Sequence, residues 1–408
     1  MSNFVDEKLI LSKIKIRKRK LTSTYQNLKL TMGKYIMKKS LLALAVVAAA
    51  TSANAATVYD KDGTSLAVGG RVQAVVYNGN AAGIAENDAG LVNSARLNIA
   101  GSTKINDSVS VFAFSEWNMA DGNTSGQSWG DSINTREQYV GADYGDFGKI
   151  LGGKTYDAAN AVLAATDVFE DFGARLQGSI NGDRRTGMFR YVYDNNGIFG
   201  SVSYQTAADD STVQGSKADV EGGFAAAAGY TFDNVVFGPL SFKAGYSYVK
   251  GQDDFSKTIG QFENSETFDN FKVISASIAW GSTDNGLYIG ALYNTQRVKQ
   301  RANDFVPSNS SNSDKKKGYE FVVGYTFDNG IGAFTGYNFV DVKTKEGSIN
   351  SDSAIYRRVP VYVNYAINDN FNIWGEAEFD ANSTTKKDGQ NQYSETGTML
   401  SAGARYTF

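Results

Sequence analysis

The sequence predicts an all-β fold, a sixteen-stranded antiparallel transmembrane β-barrel. Three observations carry that expectation. A secretory signal precedes most of the chain, residues alternate polar and apolar with a period of two, and short and long connections take turns between the runs.

The signal is read first. Met37-Lys38-Lys39 is basic, Leu41–Ala50 is apolar, and Thr51-Ser52-Ala53-Asn54-Ala55 ends in an Ala-x-Ala cleavage pattern. The apolar stretch is too short for a spanning helix, which needs about 20 residues. Cleavage after Ala55 is expected, which divides the chain into 1–36, 37–55 (signal) and 56–408 (barrel). Residues 1–36 carry Lys8, Lys13, Lys15, Arg17, Lys18, Arg19, Lys20, Lys29 and Lys34 against Asp6 and Glu7. They read as an upstream extension that is non-native or is removed with the signal, in preference to a basic binding arm. Without the eleven Lys and Arg and the two acids of residues 1–55, 29 basic and 41 acidic residues remain. That acidic balance argues against a nucleic-acid partner.

Alternation marks the strands. Leu97, Ile99 and Gly101 alternate with Arg96, Asn98 and Ala100. Val359, Val361, Val363 and Tyr365 alternate with Arg358, Tyr362 and Asn364, and Leu400, Ala402, Ala404, Tyr406 and Phe408 with Ser401, Gly403, Arg405 and Thr407. The expected strands are 65–77, 91–102, 108–119, 134–143, 148–155, 184–193, 198–206, 221–232, 239–250, 268–280, 286–297, 317–327, 331–342, 353–366, 371–381 and 395–408. Their even number suits a single-chain barrel.

Short connections carry Asn106-Asp107, Asp194–Gly197, Asp233-Asn234, Asp284–Gly286, Asp328–Gly330 and Asn368–Asn370, residue types that accept tight-turn backbone. The long polar ones are 78–90, 120–133, 207–220, 251–267, 298–317, 343–352 and 382–394. Gly229-Tyr230-Thr231-Phe232-Asp233-Asn234 recurs as Gly324–Asn329, and Tyr406-Thr407-Phe408 repeats its core, which puts a ring of aromatics beside the short turns. Pro360 falls inside an expected strand and is read as a bulge or the strand's outer end.

Composition excludes several functions. The chain has no Cys and no His, so disulfides, His-dependent triads and His-ligated metals are excluded. No cofactor and no metal are expected, and no enzyme activity. Mean hydropathy is negative, yet Tyr and Phe number 23 and 24, Gly 43 and Pro only 3, as suits an apolar outside around a wet inside.

Sixteen strands enclose a lumen too wide for side chains to fill. Selectivity then requires a narrowing element, and segment 156–182 is the candidate. Ala161–Ala165, Phe169 and Phe172 suit a loop folded inward against the wall, with Asp167, Glu170 and Asp171 facing the lumen. Arg71, Arg96 and Arg136 lie on polar strand faces, and Arg184 or Arg185 opens strand six. Opposed acidic and basic walls would set a transverse field across the gap.

Ser94–Gly101, Lys104-Ile105-Asn106-Asp107, Thr135-Arg136, Thr166–Gly173 and the terminal Phe408 resemble the trimeric general diffusion porins of Gram-negative, gammaproteobacterial outer membranes. The resemblance covers the chain after the signal and is most specific over 65–200. It implies passive transport of ions and small hydrophilic solutes, a homotrimer, contact with outer-membrane lipid and lipopolysaccharide, and an inward third external loop. By that resemblance Asp167 and Asp171 look like the constriction acids. Arg71, Arg96 and Arg136 look like the facing bases. Arg185 takes the last basic position only if one residue is inserted, with Arg184 close by. Phe408 resembles the signal read by the barrel-assembly machinery. Glu170 departs from the family, standing where many members have Pro, and Arg175 is an added base.

A mild cation preference is expected, because the chain is acidic and the loop has no Lys run. The alternatives are a solute-specific channel, or a surface adhesin or receptor using the long loops. Trp117, Trp129, Trp280 and Trp374 are scattered and do not form the aromatic slide of a sugar channel.

Overall fold

The computed structural model describes residues 55–78, 88–120, 133–173, 184–213, 216–252, 268–300, 313–346, 349–381 and 397–408. The extension 1–36 and the signal up to Asn54 lie outside these residues. So do Trp129, the middles of the long connections, and 174–182 of the candidate loop, Arg175 included.

Sixteen strands form the wall. They are β1 (Thr64–Asn78), β2 (Ala89–Lys104), β3 (Ser110–Ala120) and β4 (Asn134–Asp143), then β5 (Lys149–Thr155), β6 (Arg185–Asn195), β7 (Ile198–Gln205) and β8 (Ser216–Val235). β9 (Gly238–Gly251), β10 (Phe268–Gly281), β11 (Gly286–Gln300) and β12 (Ser313–Thr326) follow, and β13 (Ile331–Glu346), β14 (Ile349–Asn368), β15 (Phe371–Asp380) and β16 (Met399–Thr407) complete the set. Each pairs antiparallel with its neighbours. The ring closes where β16 meets β1, from Ser401↔Tyr77 to Thr407↔Arg71. Closure leaves no open sheet edge, the condition for crossing lipid with strands. Among the described residues no helix is long and apolar enough to cross a membrane.

Two short strands were not expected. Ala56–Lys61 folds back on the start of β1 through Asp62-Gly63, both in the left-handed region. It occupies the edge of β1 next to the chain's end, where Gly70 and Phe408 exchange backbone hydrogen bonds of 2.8 and 3.0 Å. Ala208–Val213 pairs with the outer end of β8. The long connections 207–220, 298–317 and 343–352 are therefore partly strand, because pairing continues past the level at which the sequence turns polar. Pro360 is neither at a bulge nor at an end. It lies mid-strand, paired with Glu378 in unbroken register on the β15 side. On the β13 side the ladder passes from Asn338↔Arg358 to Thr335↔Val361, skipping the positions beside the missing N–H. Thr335 Oγ1 donates to the Pro360 carbonyl at 2.9 Å.

The two faces separate as the alternation predicts. Exposed Leu91, Val140, Phe189, Ile274, Phe321 and Val363 point outward. Tyr230 and Phe232, and Tyr325 and Phe327, are exposed ring pairs beside short turns, with centroids 4.7 and 4.8 Å apart. The inward face holds buried polar groups, among them Asn98, Gln205, Asn294, Glu320, Asn338 and Glu376. Apolar burial on this inner side gathers where segment 156–173 meets the wall.

Candidate functional site: the segment across the inner wall

The segment leaves β5 at Tyr156 and begins with a short 3-10 helix, Ala158–Ala165. Asp157 starts it. Its carboxylate accepts from the backbone N–H groups of Ala159 and Asn160, as an N-cap Asp does. It also accepts from Arg185 Nη2 and Ser247 Oγ, both at 2.6 Å. Asp157 and Arg185 are only 5% and 3% exposed, so this is a buried pair completed by hydrogen bonds, and neither partner can be removed alone cheaply. Ala158 N–H donates to Ser203 Oγ at 3.0 Å.

The helix lies on β7–β11. Val162 and Leu163 pack against Phe199, Val220, Val249, Phe271, Val273 and Leu292. The backbones approach closely, and a methyl at Gly290 would fall on the Ala165 carbonyl. That carbonyl accepts from Tyr288 OH at 2.8 Å, and Thr166 Oγ1 donates to Glu320 at 2.7 Å. Val168 and Phe169 then pack with Tyr288, Val322, Phe334, Tyr362 and Trp374.

The tip is held by carboxylates at both ends of its bonds. Glu376 on β15 accepts three successive backbone N–H groups, from Glu170 (2.9 Å), Asp171 (2.9 Å) and Phe172 (2.6 Å). Asp171 accepts from Tyr77 OH (2.6 Å), Trp374 Nε1 (2.8 Å) and Ser401 Oγ (2.6 Å). Glu170 forms a two-toothed pair with Arg405, which also bonds Gln73 and lies over the Trp374 ring. Gly173, with φ at 75°, closes the tip under Phe169, where a side chain has no room. Asp167 differs from its neighbours in being exposed.

The basic residues gather on β1–β6. Arg71 and Arg96 stand opposite one another in register. Arg96 Nε donates to Asn118 at 3.0 Å and Arg136 Nε to Glu116 at 2.5 Å. Arg96 feels the charges of Arg71, Arg136 and Arg184, and Arg71 those of Arg405 and Arg136. Arg184 lies 4.3 Å over the Tyr156 ring and 3.8 Å from Glu137. Burial raises the Tyr156 hydroxyl above its ordinary value and lowers Arg184 below its own. The charges of Arg184 and, more weakly, Asp167 both act on that hydroxyl.

The expected residues thus fall into two groups. Arg71, Arg96 and Arg136 gather on β1, β2 and β4, and Asp167 is exposed on the segment. Arg184 stands with them, whereas Arg185 lies under the helix on Asp157, the reverse of the order favoured by sequence. The cause is the strand pleat, which turns adjacent side chains to different surroundings. Asp171 and Glu170 are fastened to the wall. Phe408 is bonded through its backbone to Gly70. Asp157, Tyr288, Glu376 and Arg405 were missed. An Asp directly before Ala158-Ala159 is an N-cap signal, and Trp374, Glu376 and Glu378 alternate on the polar face of β15.

A family model described as Gram-negative porin matches residues 42–343. The putative outer membrane porin protein NmpC of Escherichia coli is 28% identical over 91% of this chain and all of its own length. Salmonella typhi OmpF, solved with daunomycin, is similar in fold at TM-score 0.64 and 21% identity, over 86% of this chain and all of that one. The trimer form of Vibrio cholerae OmpT matches at TM-score 0.60 and 16% identity, over 85% of this chain and all of that one. The barrel, its wet inner face and the family match lead to one assignment: the chain belongs to the Gram-negative porins and is a multi-pass β-barrel diffusion porin of the outer membrane.

Proposed function

We propose that segment 156–173 is the filter of this porin, that Asp167 and the Arg71–Arg96–Arg136–Arg184 group line its narrowest passage, and that the channel passes ions and small hydrophilic solutes with a mild preference for cations. The observation that carries this reading is one exposed carboxylate, Asp167, on a segment whose helix and tip are bonded to the wall, with Asp167 and Arg184 both acting on the Tyr156 hydroxyl. Opposed charges at such a gap orient dipolar solutes and separate the paths of cations and anions. The excess of acids over bases after residue 55 favours cations at the mouths. The porin family consists of channels, and the chain is read as having no enzymatic role.

Further proposals rest on the sequence. Residues 1–36 and the signal 37–55 are removed, with cleavage after Ala55. Phe408 is the handle for the barrel-assembly machinery. The working unit is a homotrimer, supported by the family match and the trimeric Vibrio cholerae OmpT. Single-channel recording in a planar bilayer tests the filter. A large ohmic conductance, a reversal potential on the cation side, and a shift towards anions in Asp167→Asn are expected. An unchanged reversal potential in that variant refutes Asp167 as a filter residue.

A further inference from the structure

We infer that Arg405 is an anion-binding site on the inner wall, that Glu170 of this same chain is its resident occupant, and that the pair sets how strongly the channel discriminates against small carboxylates and phosphates. The polar edge of the guanidinium is filled. Nη1 and Nη2 donate to the two oxygens of Glu170 at 2.8 and 2.5 Å, and Nε donates to Gln73 Oε1 at 2.9 Å. Two parallel bonds of this kind are how a guanidinium takes any carboxylate or phosphate. Glu170 thus sits where a permeating oxyanion would, and while it does so the fork offers no net positive charge.

The site is held in place without Glu170. Gln73 stands directly opposite Arg405 in the register of β16 with β1, so Nε keeps a partner on the wall. The Trp374 ring lies 5.0 Å from the guanidinium, an attraction that favours the same placement. Trp374 is itself fixed by its bond to Asp171. Arg71 is two residues from Gln73 on the same face of β1, and the charges of Arg405 and Glu170 both act on it. Removing the Glu170 side chain therefore opens a fork that is already aimed and has a second cation acting on it.

The tip of the segment does not depend on that side chain either. Glu376 holds the backbone N–H groups of Glu170, Asp171 and Phe172, and Asp171 is bonded to Tyr77, Trp374 and Ser401. The side chains of Arg405 and Glu170 are 11% and 24% exposed, so solvent reaches the pair. A partly solvated ion pair is held by a modest net energy, and an oxyanion in the passage can compete for the fork. The inference rests on segment 156–173 being the filter, and it is independent of the part given to Asp167.

The test is single-channel recording of the full-length protein with inorganic pyrophosphate added at constant ionic strength. Glu170→Ala empties the fork. It is expected to be blocked at about a tenth of the concentration the parent needs, the gain of one charge-assisted bidentate pair. Glu170→Gln removes the same charge but returns one acceptor to the fork. Its reversal potential should move towards anions as far as that of Glu170→Ala, with an intermediate block. Adding Arg405→Gln to Glu170→Ala should abolish the block. Heat-modified gel mobility checks that each variant is folded. If Glu170→Ala does not fold, Glu170→Gln carries the test, and its block must still exceed the parent's. Absence of block, or block that survives Arg405→Gln, overturns the site. Equal block of Glu170→Ala and Glu170→Gln shows an effect of charge alone and overturns Glu170 as an occupant. Asp167→Asn recorded in parallel keeps the two readings apart. Block in Glu170→Ala with no reversal shift in Asp167→Asn refutes Asp167 and upholds the site, and the converse result overturns the site and upholds Asp167.

Discussion

Asp167 and Asp171 lie four residues apart on one segment, and the wall treats them differently. Asp171 accepts hydrogen bonds from three side chains on β1, β15 and β16, while Asp167 is exposed. Arg184 and Arg185 divide in the same way. Arg185 is sealed against Asp157, and Arg184 stands over Tyr156 beside the lining. Asp171 and Arg185 hold the segment in place, and Asp167 and Arg184 take the part that the proposed filter assigns to the lining. Residue type and charge are the same within each pair, so position on the wall separates anchoring from lining.

That division is broken hardest at the buried pair. Arg185→Ala leaves Asp157 charged, buried and short of its strongest donor, a loss of about 3–5 kcal/mol. The start of the segment should detach. We expect cleavage after Tyr156 by added protease and a raised, noisy single-channel conductance. Arg184→Ala should leave protease resistance intact and change only selectivity. If the two variants behave alike, the separation of anchor from lining fails.

Asp171→Asn comes next. Three donors converge on that carboxylate, each bond to a charged acceptor contributing about 1.5–3 kcal/mol. An amide supplies one acceptor and turns a donor towards donors. Glu376 still holds the backbone of the tip, so the expected result is a loosened tip with excess open-channel noise. Adding Glu376→Gln should enlarge the effect beyond the sum of the single variants, because both carboxylates hold the same turn. Strict additivity in the noise amplitudes would show that the two anchors act separately.

Much of the barrel was legible because alternation and turn chemistry are local. Gly324–Asn329 announces the end of β12 without knowledge of any partner. The anchors were not legible in this way. Asp157 meets Ser247 across ninety residues, and Asp171 meets Ser401 across 230; nothing in the neighbourhood of either residue records the other. The choice between Arg184 and Arg185 depends on where β6 enters the wall, a shift of one residue that reverses which side chain is sealed. Glu376 is hidden for another reason: its partners among the described residues are backbone N–H groups, which carry no sequence identity.

Asp167→Asn is the gentler test. An exposed charge beside a wet gap is worth about 1 kcal/mol or less even at contact distance, and salt reduces it further. We expect roughly a twofold fall in the cation-to-anion permeability ratio, with unchanged noise and protease resistance. The shift should shrink as salt is raised from 0.1 to about 1 M, where the Debye length falls to roughly 3 Å. A shift that persists at high salt would mean that Asp167 acts through the shape of the segment instead of its charge.

Asp107 provides the smallest effect and a reference for a carboxylate outside the lumen. It sits in the turn between β2 and β3, 2.8 Å from Lys104, whose hydrogen bond and charge hold its carboxyl below the usual range. A depressed carboxyl stabilises the folded state above its unfolded value and loses that contribution as pH falls through the folded one. Asp107 is fully exposed, so Asp107→Asn should leave conductance and selectivity unchanged at neutral pH. Its only trace should be a slight loss of thermal stability relative to the parent near neutrality, vanishing on acidification once the parent's Asp107 is itself protonated. If Asp107→Asn moves the reversal potential as far as Asp167→Asn, then selectivity reads the total charge of the barrel, and Asp167 has no special place in it.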